Sequence, residues 1–239
     1  MTLIIQADGV IDNPADRPTI IDLSTGLLSE WSVNDLDLTE NADVTSWVGQ
    51  GSAALNLRTF DSKLENWSYP KFSDGAVVFD GTAHLFNTND QVYSQPNTVV
   101  LVTQCNNYSP ATTGRSRLFA GEAGYLQNIY PQTSKLRMVA GDTTPLEIGS
   151  YGAGWLVIVA TFNKENSKAK IGYNGSLFEY SGVLETQSLR KFGIGGSQTT
   201  SHSSSAFMGK IKHVGVFSRV FTDTEQIALI SRLKKQYGV

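Results

Sequence analysis

Cysteine is all but missing from this 239-residue chain: Cys105 stands alone, so no internal disulfide can form. A single cysteine in a β-branched stretch reads as a small buried hydrophobe, not a nucleophile. Charge is scarce too, at 17% Asp, Glu, Lys and Arg with a net charge of -3. Without a dense Lys/Arg cluster or basic-aromatic interleaving, that balance argues against nucleic acid as a partner. Low net charge with 40% apolar residues also excludes disorder. No apolar run approaches the ~18 residues of a membrane span. The opening Met1-Thr2-Leu3-Ile4-Ile5-Gln6 has no basic start and too short an apolar run for a signal peptide, so synthesis in a cytoplasm without export is expected. Histidine is limited to His84, His202 and His213, which lack ligand spacing, and with one cysteine available zinc is not expected.

What is plentiful is small and polar: 24 Ser, 21 Thr, 14 Asn and 22 Gly make up a third of the chain. Turn formers at that density, with little charge, point to all-β structure and away from helical bundles. The length suits one large sandwich or barrel. Residues 1–30 read as an extended arm, because Pro14 and Pro18 push their neighbours to extended backbone and cannot join a central ladder. Short β pieces are expected at 2–6 and 19–23, docked on the arm's own domain or on a neighbouring subunit. Residues 31–239 form the domain.

Strand signals begin at Trp31. Val44-Thr45-Ser46-Trp47-Val48 runs into the turn cluster Gly49-Gln50-Gly51-Ser52. Val77-Val78-Phe79, Asp80-Gly81 and His84-Leu85-Phe86 read as a tight hairpin. Residues 98–103 suit a central strand, and residues 155–162 are the strongest apolar run. Shorter strands are expected at 117–119, 125–129 and 135–139, with longer ones at 189–194 and 206–217. Asn174-Gly175 lies between two strand-like runs and supplies the positive φ angles of a type I′ turn. One helix is marked, at the end: Thr222-Asp223-Thr224-Glu225 fits a capping box, Leu229, Ile230, Leu233 and Tyr237 form an apolar stripe, and Gly238 terminates it. Residues 1–100 carry 4 basic and 14 acidic side chains, residues 101–239 carry 15 and 8. The asymmetry marks either a basic docking face or two halves whose strands interleave and mix their charges.

Four of these segments, in order, resemble laminin-G-like and concanavalin A-like jelly rolls. They are the Trp47 strand, Val78-Phe79-Asp80-Gly81 with His84-Leu85, Trp155 through Phe162 to Tyr173-Asn174-Gly175, and Phe207-Met208-Gly209-Lys210-Ile211 through Phe217 to Leu229. The resemblance spans about residues 40–239 and implies a two-sheet antiparallel jelly-roll sandwich with an extended N-terminal arm and one short C-terminal helix. A single such domain with a proline-containing arm also resembles structural proteins of tailed bacteriophages. That likeness implies a virion protein, a capsid decoration or a tail or fibre part. It would join other virion proteins through the arm, work within an assembly and contact host-surface glycans. The alternative is a stand-alone carbohydrate-binding module, with a glycoside hydrolase as the third reading, because this fold hosts many functions.

Hydrolysis on this fold needs paired carboxylates flanking the bond, and alternate residues of a strand share a face. No Glu-x-Asp-x-Glu pattern occurs, and residues 98–103, 155–162 and 206–217 carry no carboxylate. The expectation is a non-enzyme without catalytic residues. Sugar binding would use aromatic rings beside amides. The candidates are Asn107 and Tyr108, Asn128 and Tyr130, with Trp67 behind and Arg115 adding a polar contact; ordinary polar loops are the competing explanation. No cofactor is implied beyond calcium, for which Asp74, Asp80 and Asp90 are loop acids that otherwise serve as turn formers. Trp31, Trp47 and Trp155 are assigned to the core.

Overall fold

The computed structural model describes residues 22–53, 55–59, 68–87, 89–105, 117–122, 127–132, 135–141, 144–150, 152, 154–173, 175–196 and 207–239. Two antiparallel eight-stranded sheets pack face to face. The first sheet orders its strands β14 (Ser176–Gly182), β13 (Ser167–Tyr173), β12 (Trp155–Phe162), β7 (Asn97–Cys105), β16 (Met208–Phe217), β5 (Ala76–Asp80) and β4 (Lys71–Ser73). Its eighth strand, β1 (Leu27–Ser32), pairs with β16. The second sheet orders β11 (Leu146–Ser150), β10 (Lys135–Ala140), β9 (Gln127–Gln132), β8 (Phe119–Ala120), β15 (Gly193–Ile194), β6 (Leu85–Phe86), β3 (Asn56–Arg58) and β2 (Ser46–Val48).

The long strands of the first sheet are apolar on nearly every residue because both of their faces are covered. Burial runs through Val99, Val100, Leu101 and Val102, and through Leu156 to Ala160. One face meets the second sheet; the other meets α1 (Asp223–Tyr237), whose Ile230 lies where a Cβ on Gly172 of β13 would project. Double burial explains continuous rather than alternating hydrophobicity. The helix starts as its sequence dictates: Thr222 Oγ1 accepts from Glu225 N while a Glu225 carboxylate oxygen accepts from Thr222 N, and Gly238 closes it in the left-handed region at φ 63°. Among the described residues no helix is long and apolar enough to cross a membrane.

Three expectations change. Val77 to Phe86 is not a hairpin, because β5 lies in the first sheet and β6 in the second. Asp80 turns the chain across the sandwich by accepting from Thr82 N, Thr82 Oγ1 and Ala83 N, with Gly81 at φ 92°. A side chain that satisfies successive amides holds a corner as readily as a hairpin turn. The boundary at residue 30 also divides β1, whose Glu30 and Trp31 pair with Gly215 and Val214. Trp155, finally, is half-buried, with the Lys212 ammonium 4.6 Å from its ring centroid, whereas Trp31 and Trp47 are in the core. Residues 1–21 lie outside the described residues. Removing residues 1–30 takes away buried Leu23, four of the six residues of β1 and the Ser29 hydroxyl that accepts from Leu55 N. The expected result is a fall in stability of several kcal/mol, about one buried leucine plus a severed ladder, measured by urea unfolding of the truncated chain.

The charge asymmetry is resolved by interleaving. Asp74 pairs with Lys210 at 2.9 Å, Asp90 with Arg190 at 2.8 Å, and Glu30 with Arg232 at 3.6 Å, each joining the acidic part of the chain to the basic part.

Candidate functional site

Strand alternation separates the two faces of the second sheet. Leu57, Leu85, Phe119, Ile129, Leu136 and Met138 point into the core between the sheets. Their neighbours Arg58, Phe86, Ala120, Asn128, Tyr130 and Arg137 therefore point outward. Whereas α1 packs on the outer face of the first sheet, no described helix packs on this one.

The outer face has two parts. Its centre is a closed layer: Phe86, Ala120, Asn128, Tyr130 and Val139 are buried, although Phe86, Ala120, Tyr130 and Val139 are not part of the inter-sheet core. His84 belongs to this layer, its ring 6.1 Å from that of Phe86, and burial holds its imidazole neutral by lowering its pKa to about 4.

The second part lies where β9, β10 and β11 adjoin and reaches solvent at Lys135 and Glu147, with Gln132 and Arg137 half-buried. Register places Tyr130 beside Arg137, Gln132 beside Lys135, and Arg137 beside Glu147. Arg137 Nη1 donates to Gln132 Oε1 at 2.7 Å and Nη2 donates to Glu147 Oε1 at 2.8 Å, while Lys135 pairs with Glu147 Oε2. Hydrogen bonds from Lys135, then Arg137, hold the Glu147 carboxyl below its ordinary range. The result is a planar guanidinium fixed between an amide and a carboxylate, with an ammonium alongside. Such a group offers paired donors and acceptors to hydroxyls, the chemistry a polyol requires.

The six sequence candidates fare differently. Trp67, Asn107, Tyr108 and Arg115 lie outside the described residues. Asn128 and Tyr130 fall on β9 rather than on a loop, and each is 1% exposed, so Tyr130 is not a surface ring for stacking. The Asn128 Oδ1 is buried without a hydrogen-bond partner. Gln132, Lys135, Arg137 and Glu147 escaped notice because they meet only across strands. The one local signal was the alternation Lys135-Leu136-Arg137-Met138, which places both cations on one face.

Asp74, Asp80 and Asp90 do not converge. Asp74 faces Lys210, Asp80 accepts from Ser68, Thr82 and Ala83, and Asp90 faces Arg190 and Lys191. Among the described residues no group of three or more His, Cys, Asp or Glu side chains is placed to hold a metal ion. Cys105 is buried in β7, and burial pushes its thiol up to about 12, where it is no nucleophile at neutral pH.

No protein-family model matches the sequence, and no curated protein sequence gives a significant match. Solved structures do match in fold. A Trypanosoma rangeli sialidase, solved with a difluorinated nonulosonic acid analogue, superposes with a TM-score of 0.61 at 12% identity over 98% of this chain and 37% of its own. A second structure of that sialidase, with sialic acid, gives 0.60 at 13% identity over 96% of this chain and 36% of its own. The chain thus spans little more than a third of the sialidases it matches. Domain 4 of the arabinanase AbnA from Geobacillus stearothermophilus, solved with arabinotriose, gives 0.57 at 13% identity, over 87% of this chain and 99% of that domain. At these identities the likeness establishes the β-sandwich fold.

Proposed function

We propose that this chain is a non-catalytic glycan-binding module that uses the outer face of its second sheet. The observation that carries the proposal is the open set Gln132, Lys135, Arg137 and Glu147, held in cross-strand register beside Tyr130 on the sheet face that α1 leaves clear. The fold likeness supports it. One neighbour of matching length was solved with arabinotriose, and the others are sialidases solved with sialic acid or an analogue. That company favours the carbohydrate-binding alternative over the virion-structural reading, which rests on the arm, most of it outside the described residues.

The absence of catalysis is part of the proposal. Glu147 is the one carboxylate on the described strands of the second sheet. A general acid needs a raised pKa, and Glu147 is held below the ordinary range by two cations. It positions a guanidinium and carries no proton to deliver.

Calorimetry and a glycan array with the full chain test the reading, with arabino-oligosaccharides and sialylated glycans as the first probes. Arg137→Ala is expected to weaken binding by at least about tenfold, or about 1.4 kcal/mol, because it frees both Gln132 and Glu147 from their fixed positions. No binding to any glycan at millimolar concentration, or equal binding by the variant, would sink the proposal. Release of sugar from those probes would overturn its non-catalytic part.

A further inference from the structure

Strands β9, β10 and β11 carry three charged residues, Lys135, Arg137 and Glu147, so the polar set holds two cations for one anion. A further carboxylate, Glu185, lies against Gly141, past the opposite end of β10. The ion pairs do not bury the set. The Lys135 side chain is 47% exposed, that of Glu147 42% and that of Arg137 24%.

Hydrogen-bonding capacity is as one-sided as the charge. A guanidinium and an ammonium donate and cannot accept. Arg137 spends one N–H of Nη1 on Gln132 Oε1 and one of Nη2 on Glu147 Oε1, and Lys135 spends one on Glu147 Oε2. The second N–H of each Nη and the other two of Nζ meet no acceptor among the described residues. The Arg137 Nε is buried, so the guanidinium is reached from its Nη end. Glu147 shows what fits there. Its two oxygens join the two cations, one on Arg137 and one on Lys135, so these lie close enough for a single carboxylate to bridge them. Since Tyr130 is buried, these strands present no exposed ring on which a sugar could stack. Recognition on them falls to charge and hydrogen bonds.

We propose that this set selects carboxylated saccharides, such as those containing uronic acids, over neutral ones. The sugar carboxylate bridges Arg137 and Lys135 through their unspent donors, as Glu147 does through the others, while Gln132 Oε1 and Glu147 accept from ring hydroxyls. The proposal rests on the glycan reading and narrows it to a class of ligand. Glu147 has two opposed effects. Its hydrogen bonds fix the cations, and its charge repels the arriving anion.

Calorimetry of the full chain with trigalacturonic acid and with sialyllactose, each beside its methyl ester, separates charge from sugar shape, because the ester keeps the ring hydroxyls and loses the anion. At least one acid is expected to bind about tenfold more tightly than its ester, with a preference that shrinks as NaCl rises from about 50 to about 500 mM. Glu147→Gln keeps an acceptor for Arg137 and removes the repelling charge. It is expected to tighten binding of the acid about threefold and to leave the ester no tighter, whereas a merely structural Glu147 would weaken both ligands when replaced. Arg137→Lys keeps the charge but loses the planar fork, and should weaken binding of the acid about tenfold. Circular dichroism melts establish that each variant is folded. Equal affinity for acid and ester, tighter binding of neutral arabino-oligosaccharides, or weaker acid binding by a folded Glu147→Gln variant overturns the proposal and leaves the glycan reading standing. Failure to bind any glycan sinks both.

Discussion

Acidification from pH 7 to pH 4 is expected to remove about 3 kcal/mol of stability through one buried side chain, His213. Its imidazole sits on β16 under the end of α1, where burial and then the charge of Arg232 lower its pKa from 6.5 to about 3. Burial favours the neutral form. Asn34 N donates to Ser32 Oγ at 3.1 Å, Ser32 Oγ lies 2.7 Å from Tyr237 Oη, and Tyr237 Oη lies 3.1 Å from His213 Nδ1. The Tyr237 hydroxyl thus links His213 to Ser32. The unfolded chain takes up a proton near pH 6.5 and the folded chain only near pH 3. Stability is therefore complete above about pH 6.5 and is lost progressively as pH falls between those values. His84, lowered to about 4, acts in the same direction. Glu30, 3.7 Å from His213 Nδ1, has its pKa raised by burial and acts in the opposite one. Urea unfolding of the wild type and His213→Gln at pH 7 and pH 4 measures the effect. The variant should start less stable, having lost the Tyr237 contact, but fall less with acid. Equal losses in both proteins would show that His213 does not carry it.

Trp31→Ala is expected to cost about 3–5 kcal/mol, enough to bring a domain of ordinary stability close to unfolding. Trp31 is fully buried on β1 in the first sheet. Its ring meets Phe192 edge-on, with centroids 5.7 Å apart at 77°, and Phe192 stacks on Phe119 of β8 at 5.2 Å and 27°. Three rings thus tie the first sheet to the second, and removing the first leaves a cavity that backbone from both sheets surrounds. Trp31→Phe should cost much less, since the indole N–H has no hydrogen-bond partner to lose and a ring still meets Phe192. Thermal and urea unfolding of the two variants give the comparison. Near-equal losses would mean that ring packing is not what Trp31 contributes.

Parts of this fold were legible because their signals are local. Asn174-Gly175 marked a two-residue hairpin, and Tyr173 pairs with Ser176 around it, with Gly175 at φ 81°. The Thr222 to Glu225 box marked the start of α1 to the residue. The runs that became β7 and β12 were recognisable because both of their faces are buried and their apolar residues are contiguous. The corner at Asp80-Gly81 was misread because an Asx turn looks the same in sequence whether the next strand returns to its sheet or crosses to the other. Strand β1 was hidden in the arm, because a six-residue strand that pairs only with β16 carries no local sign of a partner nearly two hundred residues away.

The composition and local motifs of the chain by themselves determined an all-β class with one capped helix, and the antiparallel sandwich was what the resemblance to jelly rolls implied. Turns, caps and doubly buried strands are set by interactions among residues a few positions apart. Which sheet each strand joined, and so where the polar set lies, was decided only by tertiary packing. Arg137 and Glu147 are ten residues apart and separated by a loop, and their pairing depends on the register of β10 with β11. Once α1 docks on the first sheet, the outer face of the second is left to bear the polar set. That outcome follows from long-range burial of apolar area, which no short stretch of sequence encodes.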